Sequence, residues 1–371
     1  MIIMLRTSSC LTMKSSSLFV WCLPTLFTTA VYSLPSFHEA KDLNVAKSWY
    51  IVSLHSHYQL DSHLEHISRN TSVDVSTISP ISAINGYHAR LSDEVLYDIV
   101  QRDPGVKYIQ QDYYLDHDSH ALATIDSPDV ISRIFRRWKK HTVDPSAWFV
   151  RKLTYWGTIS PIPVKDGPSE YLEDSWKGVH VYILDSGIRR SHVMLNHQAV
   201  NFKGKQDTDT SPYVNEPMED THGHGTAVAG VVIRIAPAAT LMNVKVRGTN
   251  RLGDLAGAIS DVTDEHISYR NSKKPDWRGS VINISIETGI TRVLTDVIKS
   301  AIKEGIPVVS SAGNANADAV TGPCGIAGVI CVAACNSSYK KWAKSNYGKD
   351  VTIVAPGEKI LSATSISDTK T

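Results

Sequence analysis

The stretch "DTHGHGTAVAG" at 220–230 sets His222 and His224 one residue apart among glycines, ahead of a run of small residues. A histidine there can serve as a general base, a metal ligand or the start of an ordinary capped helix. A base needs a nucleophile to serve and a group to hold its tautomer. Asp185 ends the apolar run "VYILD", and a carboxylate at such a point needs a donor, for which an imidazole N–H is suited. Asn314 ends "IPVVSSAGN", and an amide N–H can meet negative charge developing on a carbonyl oxygen. Taken alone, each reads as a turn, cap or structural residue. Together they form a constellation. A zinc site would need a third ligand at defined spacing, and Asp220 is the near candidate. No metal site and no cofactor are therefore expected, with a structural calcium left open.

The elements that must hold these residues alternate between strand and helix over 148–371. "GVHVYILDSG", "ATLMNVKV", "SVINISI", "IPVVSSAGN", "GVICVAA" and "DVTIVAPG" are near-continuous apolar runs, the pattern of strands buried on both faces. "GHGTAVAGVVI", "DLAGAISDVTDEH" and "VLTDVIKSAIKEG" read as helices, the last stopped by Gly305. The fold class expected is α/β, a parallel sheet covered by helices on both faces. Functional groups in such sheets collect at the carboxyl ends of the strands, where Asp185 and Asn314 fall.

A smaller unit precedes it over 48–117. "SWYIVSLH", "INGYHARLS" and "VKYIQQD" read as strands. "DSHLEHISRN" reads as a helix capped near Asp61 or Ser62, and "SDEVLYDIVQRDPGV" as one capped by Ser92. That order gives a small split-βαβ domain of α+β type. The segment 118–147 connects the two units and holds "IFRRWKKHTVDPS", readable as a solvated linker or as an exposed processing site. Residues 1–33, with Met13 as an alternative start, have the outline of a secretory signal: Lys14, then an apolar run from Leu18 to Val31 broken by Pro24. That run is too interrupted for a membrane span.

The formal net charge of +1 provides no field for nucleic acid. Of five cysteines, Cys324, Cys331 and Cys335 lie outside the signal stretch, an odd number in a chain bound for an oxidising compartment. Sequons stand at Asn70, Asn283 and Asn336, with Asn283 expected to be buried on a strand.

"VYILDSGI", "HGHGTAVAG", "IAPAATLMNVKV", "VINISI" and "VVSSAGNANADA" resemble the subtilisin-like serine proteases, in particular their proteinase K-like fungal branch. The stretch from "SWYIVSLH" to "VKYIQQD" resembles the inhibitory propeptide of that family. The resemblance implies a secreted serine endopeptidase made as a zymogen, with a peptide or protein substrate, its own propeptide as intramolecular inhibitor, and a monomeric state. It implies that Asp185 orients the base, His224 is the base and Asn314 donates to the oxyanion. Ser285, Ile286, Glu287, Ala312 and Gly313 would line the substrate.

The sequence departs from the family pattern at several points. The family's "SLGG" reads "SIET" here, placing Glu287 where bare backbone is expected. Ala227 replaces the second histidine of "HGTH". The nucleophile is expected in a "GTSMA"-like segment about twenty residues after "APG" (355–357). Ser362, Ser365 and Ser367 lack that context, so the catalytic serine is absent and the chain reads as C-terminally truncated. In relatives Cys331 pairs with a cysteine beyond that serine; a local Cys324–Cys331 bond is the alternative. Two further readings stay open: an inactive relative acting as a peptide-binding or inhibitory protein, and a non-protease binding module on the same fold.

Overall fold

The computed structural model describes residues 34–40, 44–115, 176–195, 197–202, 219–246, 251–318, 320, 322–336, 340–360 and 362–369. The signal stretch, the basic connector and residues 148–175 lie outside them. The first sheet is built from β1 (Ser36–His38), β2 (Val45–Leu54), β3 (Ser79–Ile81), β4 (Gly86–Arg90) and β5 (Val106–Tyr113), in the order β1-β5-β2-β4-β3. β2 runs antiparallel to both β4 and β5. Helix α1 (Leu60–Asn70) takes Gln59 as its N-cap, ahead of the Asp61 or Ser62 cap read from sequence, and Asp61 falls in its first turn instead. Ser92 does cap the next helical segment, accepting from the Val95 N–H at 3.3 Å, but residues Val95–Val100 widen into a π-helix.

The second sheet holds β6 (Val179–Asp185), β7 (Ala199–Asn201), β8 (Thr240–Lys245), β9 (Gly279–Ile284), β10 (Val308–Ser311), β11 (Ile330–Cys335) and β12 (Ile353–Pro356). All pairs are parallel and the order is β12-β11-β10-β9-β6-β8-β7. Helices α2 (His224–Ile235), α3 (Leu252–Asn271) and α4 (Arg292–Lys303) complete it. Central β6 buries Val181, Tyr182, Ile183 and Leu184, as its continuous apolar run requires. From β6 the chain adds β7 and β8 on one side and β9 to β12 on the other, so the strand order reverses there. A crevice beyond the carboxyl ends of the strands is the outcome. α4 ends as Gly305 predicts: at φ 92° it donates to the Ile302 carbonyl while the Ile306 N–H reaches that of Ala301.

One face of the first sheet packs on its own helical segments through Val52, Ile67, Leu96 and Ile109. The other shares a core with α3 and α4, where Ile51, Ile81, Tyr108 and Tyr113 meet Leu255, Ile259, Val293 and Val297. Tyr108 Oη donates to Asp296 at 3.1 Å, and Ser82 Oγ to Asp264 at 2.6 Å. Cys324 and Cys331 are joined, which settles the pairing the sequence left open, and Cys335 is a buried free thiol. Asn283 is half-buried rather than buried; its amide donates to Ser285 Oγ at 3.2 Å.

The interior histidines set a pH dependence. Burial holds His63, His180 and His266 below the ordinary 6.5, with Asp103 opposing the effect at His63. The unfolded chain therefore takes up protons first as pH falls below about 6.5, and stability drops. At Asp103 burial would raise the carboxyl, but the Gly105 N–H and His63 outweigh it and hold it low. That contribution is lost at more acid pH, in the same direction. The urea midpoint is expected to be lower at pH 5.5 than at pH 7.5; a flat or rising midpoint would contradict the assignment.

Candidate active site

β6 delivers Asp185 fully buried at the sheet's carboxyl edge. His224, the first residue of α2, places Nδ1 2.9 Å from both carboxylate oxygens. A carboxylate can only accept, so Nδ1 carries the proton and Nε2 is the basic nitrogen of the neutral ring. The imidazole is 32% exposed and the carboxylate 0%, so the pair has one dry end and one reachable end.

Local backbone chemistry explains how the ring gets there. Gly223 sits at φ 97°, a conformation that turns the chain into the helix without steric cost. A Cβ on Gly225 would lie 2.2 Å from the Gly187 carbonyl oxygen and 3.1 Å from Asp185 Cβ, so only glycine lets the helix approach the strand exit this closely. Asp220 shapes the turn. Its carboxylate accepts from Ser186 Oγ (2.8 Å), the N–H groups of His222 (3.0 Å), Gly223 (2.7 Å) and Thr226 (2.9 Å), and Thr226 Oγ1 (2.7 Å). Burial would raise its pKa, but the hydrogen bonds from Thr226, Gly223 and Ser186 outweigh that and hold it below the usual carboxylate range. Sequence reasoning weighed Asp220 as a metal ligand. Its oxygens are instead taken up in holding the His224 turn, and an aspartate before a glycine-rich helix start is the signal that could have shown it. Among the described residues no group of three His, Cys, Asp or Glu is placed to hold a metal ion.

Asn314 lies three residues past β10, two strands from Asp185 across β9. Its turn is clamped by the buried Asn346. The Asn346 side-chain oxygen accepts from the N–H groups of Ala315 (2.9 Å) and Ala317 (3.0 Å), and its amide donates to the Ala312 carbonyl (3.1 Å). Ala312 and Gly313 are buried beneath the exposed Asn314. No pattern near Asn346 in the sequence announces this role, because its partners lie about thirty residues away.

Ser285 to Thr288 leave β9 beside this turn. Ile286 is buried, while Glu287 Oε1 accepts from the Asn314 backbone N–H at 3.0 Å. Thr288 Oγ1 lies 2.8 Å from Tyr113 Oη at the end of β5, and Tyr114 forms an antiparallel bridge with Arg251. The chain leaving the first sheet therefore enters this neighbourhood. The three late serines are placed differently. Ser362 Oγ donates to the Ala227 carbonyl at 2.5 Å, the Ser365 carbonyl accepts from Arg189, and Ser367 Oγ accepts from the Thr369 N–H.

A family model described as the subtilase family matches residues 176–371. "Subtilisin-like protease 3" of Saccharomyces cerevisiae is 26% identical over 285 residues, 75% of this chain and 53% of that protein. "Alkaline serine exoprotease A" of Vibrio alginolyticus is 28% identical over 286 residues, 76% of this chain and 47% of that protein. A solved cold-adapted subtilisin-like serine proteinase superposes with a TM-score of 0.46 at 23% identity, over 60% of this chain and 77% of that one. The chain spans about half the length of the curated relatives it matches.

Proposed function

The chain belongs to the subtilase family of serine proteases, and from that premise we propose that its site is built for peptide-bond hydrolysis. Asp185 orients the base, His224 accepts a hydroxyl proton through Nε2, and the Asn314 side-chain amide donates to the oxyanion. The observation that carries this reading is the pairing of the His224 Nδ1 with both oxygens of a buried carboxylate. Held there, the imidazole keeps the tautomer a base requires, and the carboxylate stabilises the imidazolium that forms. The substrate would lie along Ser285, Ile286, Glu287, Ala312 and Gly313.

The same proposal covers the first sheet, as an inhibitory pro-segment over 48–117 in a secreted zymogen. Its support is the packing of that sheet on α3 and α4, together with the Tyr113 and Tyr114 contacts at Thr288 and Arg251. The apolar run Leu18–Val31 supports secretion. We read no nucleophile in Ser362, Ser365 or Ser367. One observation favours an inactive, peptide-binding relative as the second reading: the Ser362 hydroxyl is spent on the Ala227 carbonyl.

Nitrogen-15 NMR of the histidine rings tests the base. His224 is expected as the Nδ1–H tautomer, switching to Nε2–H in Asp185→Asn, whose amide can present an N–H to the ring. An Nε2–H ring in the unaltered chain would remove the base assignment.

A further inference from the structure

Glu287 is the charged residue of the segment proposed to meet substrate, and it faces the turn proposed to meet the oxyanion. Oε1 is held 3.0 Å from the Asn314 backbone N–H, so the carboxylate stands within one residue of the amide that would bind the scissile carbonyl. It is half-buried. A substrate side chain flanking that carbonyl comes within reach of it. If that side chain is neutral, the carboxylate loses water and gains no counter-charge, and its field opposes the negative charge developing on the carbonyl oxygen. A cationic side chain offsets both penalties. The geometry leaves room for the pairing, because a carboxylate has about four acceptor sites and Asn314 uses one.

Resting on the peptidase reading above, we infer that Glu287 is a specificity-determining residue that selects a lysine or arginine next to the bond in the cleft. The same chemistry points to an occupant within this chain. Arg136, Arg137, Lys139 and Lys140 follow Leu115 by 21 to 25 positions, and the chain leaves β5 against Thr288, the neighbour of Glu287. Twenty-one residues reach up to about 70 Å when extended, so the basic run is within range of the site it would fill. Its charge is opposite to that of Glu287. A neutral peptide would have no such preference for this segment.

The test uses the full chain carrying Arg136→Gln, Arg137→Gln, Lys139→Gln and Lys140→Gln, so that its own basic run does not compete. Two acetylated peptides are titrated calorimetrically at low salt, IFRRWKKHTV and its analogue with all four basic residues replaced by glutamine. The basic peptide is expected to bind at least about tenfold more tightly, which corresponds to about 1.4 kcal/mol. In Glu287→Gln, which retains an acceptor for the Asn314 N–H, the ratio is expected to fall to about one. It should stay unchanged in Asp350→Asn, an exposed carboxylate beside the amino ends of β11 and β12, at the opposite edge of the sheet. Equal binding of the two peptides, or a ratio that survives Glu287→Gln, overturns the inference and leaves the peptidase reading standing. Binding of neither peptide overturns the inference as well, while the peptidase reading stands or falls by the His224 tautomer.

Discussion

A fluorophosphonate probe is expected to leave the 371-residue chain unlabelled, and a peptide substrate is expected to remain uncut beside it. Three serines follow β12 in the described residues, and each lies in a local contact of the loop. Ser362 donates to the Ala227 carbonyl within α2, where a Cβ on Gly230 would meet its oxygen at 2.3 Å. Ser365 packs beside the Gly223 turn, with its carbonyl accepting from Arg189. Ser367 accepts from the Thr369 N–H at 3.3 Å, a local turn contact. None of them opens a helix, where a nucleophile gains an exposed position and nearby N–H groups. In subtilisin, a member of this family, removing the serine costs about 10⁶-fold in turnover, and what remains is about 10³–10⁴ over water. On the proposed reading the Asp185–His224 pair does not compensate, since a base acts only by taking a proton from a nucleophile. Probe labelling that disappears in His224→Ala would identify a working serine among the three and refute this expectation.

The parts of the molecule written as long patterns were legible in the sequence, and the parts settled by distant partners were not. The apolar runs of β6, β8, β9 and β10 cannot be placed in water, so they announce a buried parallel sheet and put Asp185 and Asn314 at its carboxyl edge. β1, β3 and β7 have three residues each, too few for any period to show. The π-helical stretch Val95–Val100 has an ordinary amphipathic pattern, and its widening is a tertiary outcome. At the site, the glycines around His224 are a local signal of close approach. Asn346 acts through contacts that no neighbouring residue encodes, and Arg251 adds to its near partner Asp254 the distant Trp49 and Tyr114. The apolar run of β9 predicts a buried Asn283, but β9 alternates between buried and half-buried positions and Asn283 falls on the less covered face.

Arg251→Ala is expected to be the most destabilising single change at the contact between the first sheet and α3. The guanidinium is 5% exposed and holds both oxygens of Asp254, Nε at 3.1 Å and Nη2 at 3.4 Å. It also stacks 3.8 Å from the Trp49 ring centre, and its backbone bridges Tyr114. Around it lie two more buried charged or titratable groups. Asp112 accepts from His88 Nε2 (2.8 Å), the Gly253 N–H (3.1 Å) and the Tyr113 N–H (2.8 Å). The other face of His88 lies 3.7 Å from Asp254. Asp112 keeps three N–H donors whatever happens at position 251, whereas Asp254 loses its guanidinium in a site with 1% exposure. Removing one partner of a buried pair costs about 3–5 kcal/mol, far more than the pair contributes when both are present. A desolvated cation over Trp49 adds about 2 kcal/mol to the loss. Asp254→Ala on the Arg251→Ala background removes the carboxylate that has lost its guanidinium, so the double variant is expected to recover part of the loss. Urea unfolding of the single and double variants, with hydrogen exchange at the start of α3, provides the check. A double variant that is less stable than Arg251→Ala would show that the carboxylate is held by other groups and that the guanidinium acts through its packing on Trp49.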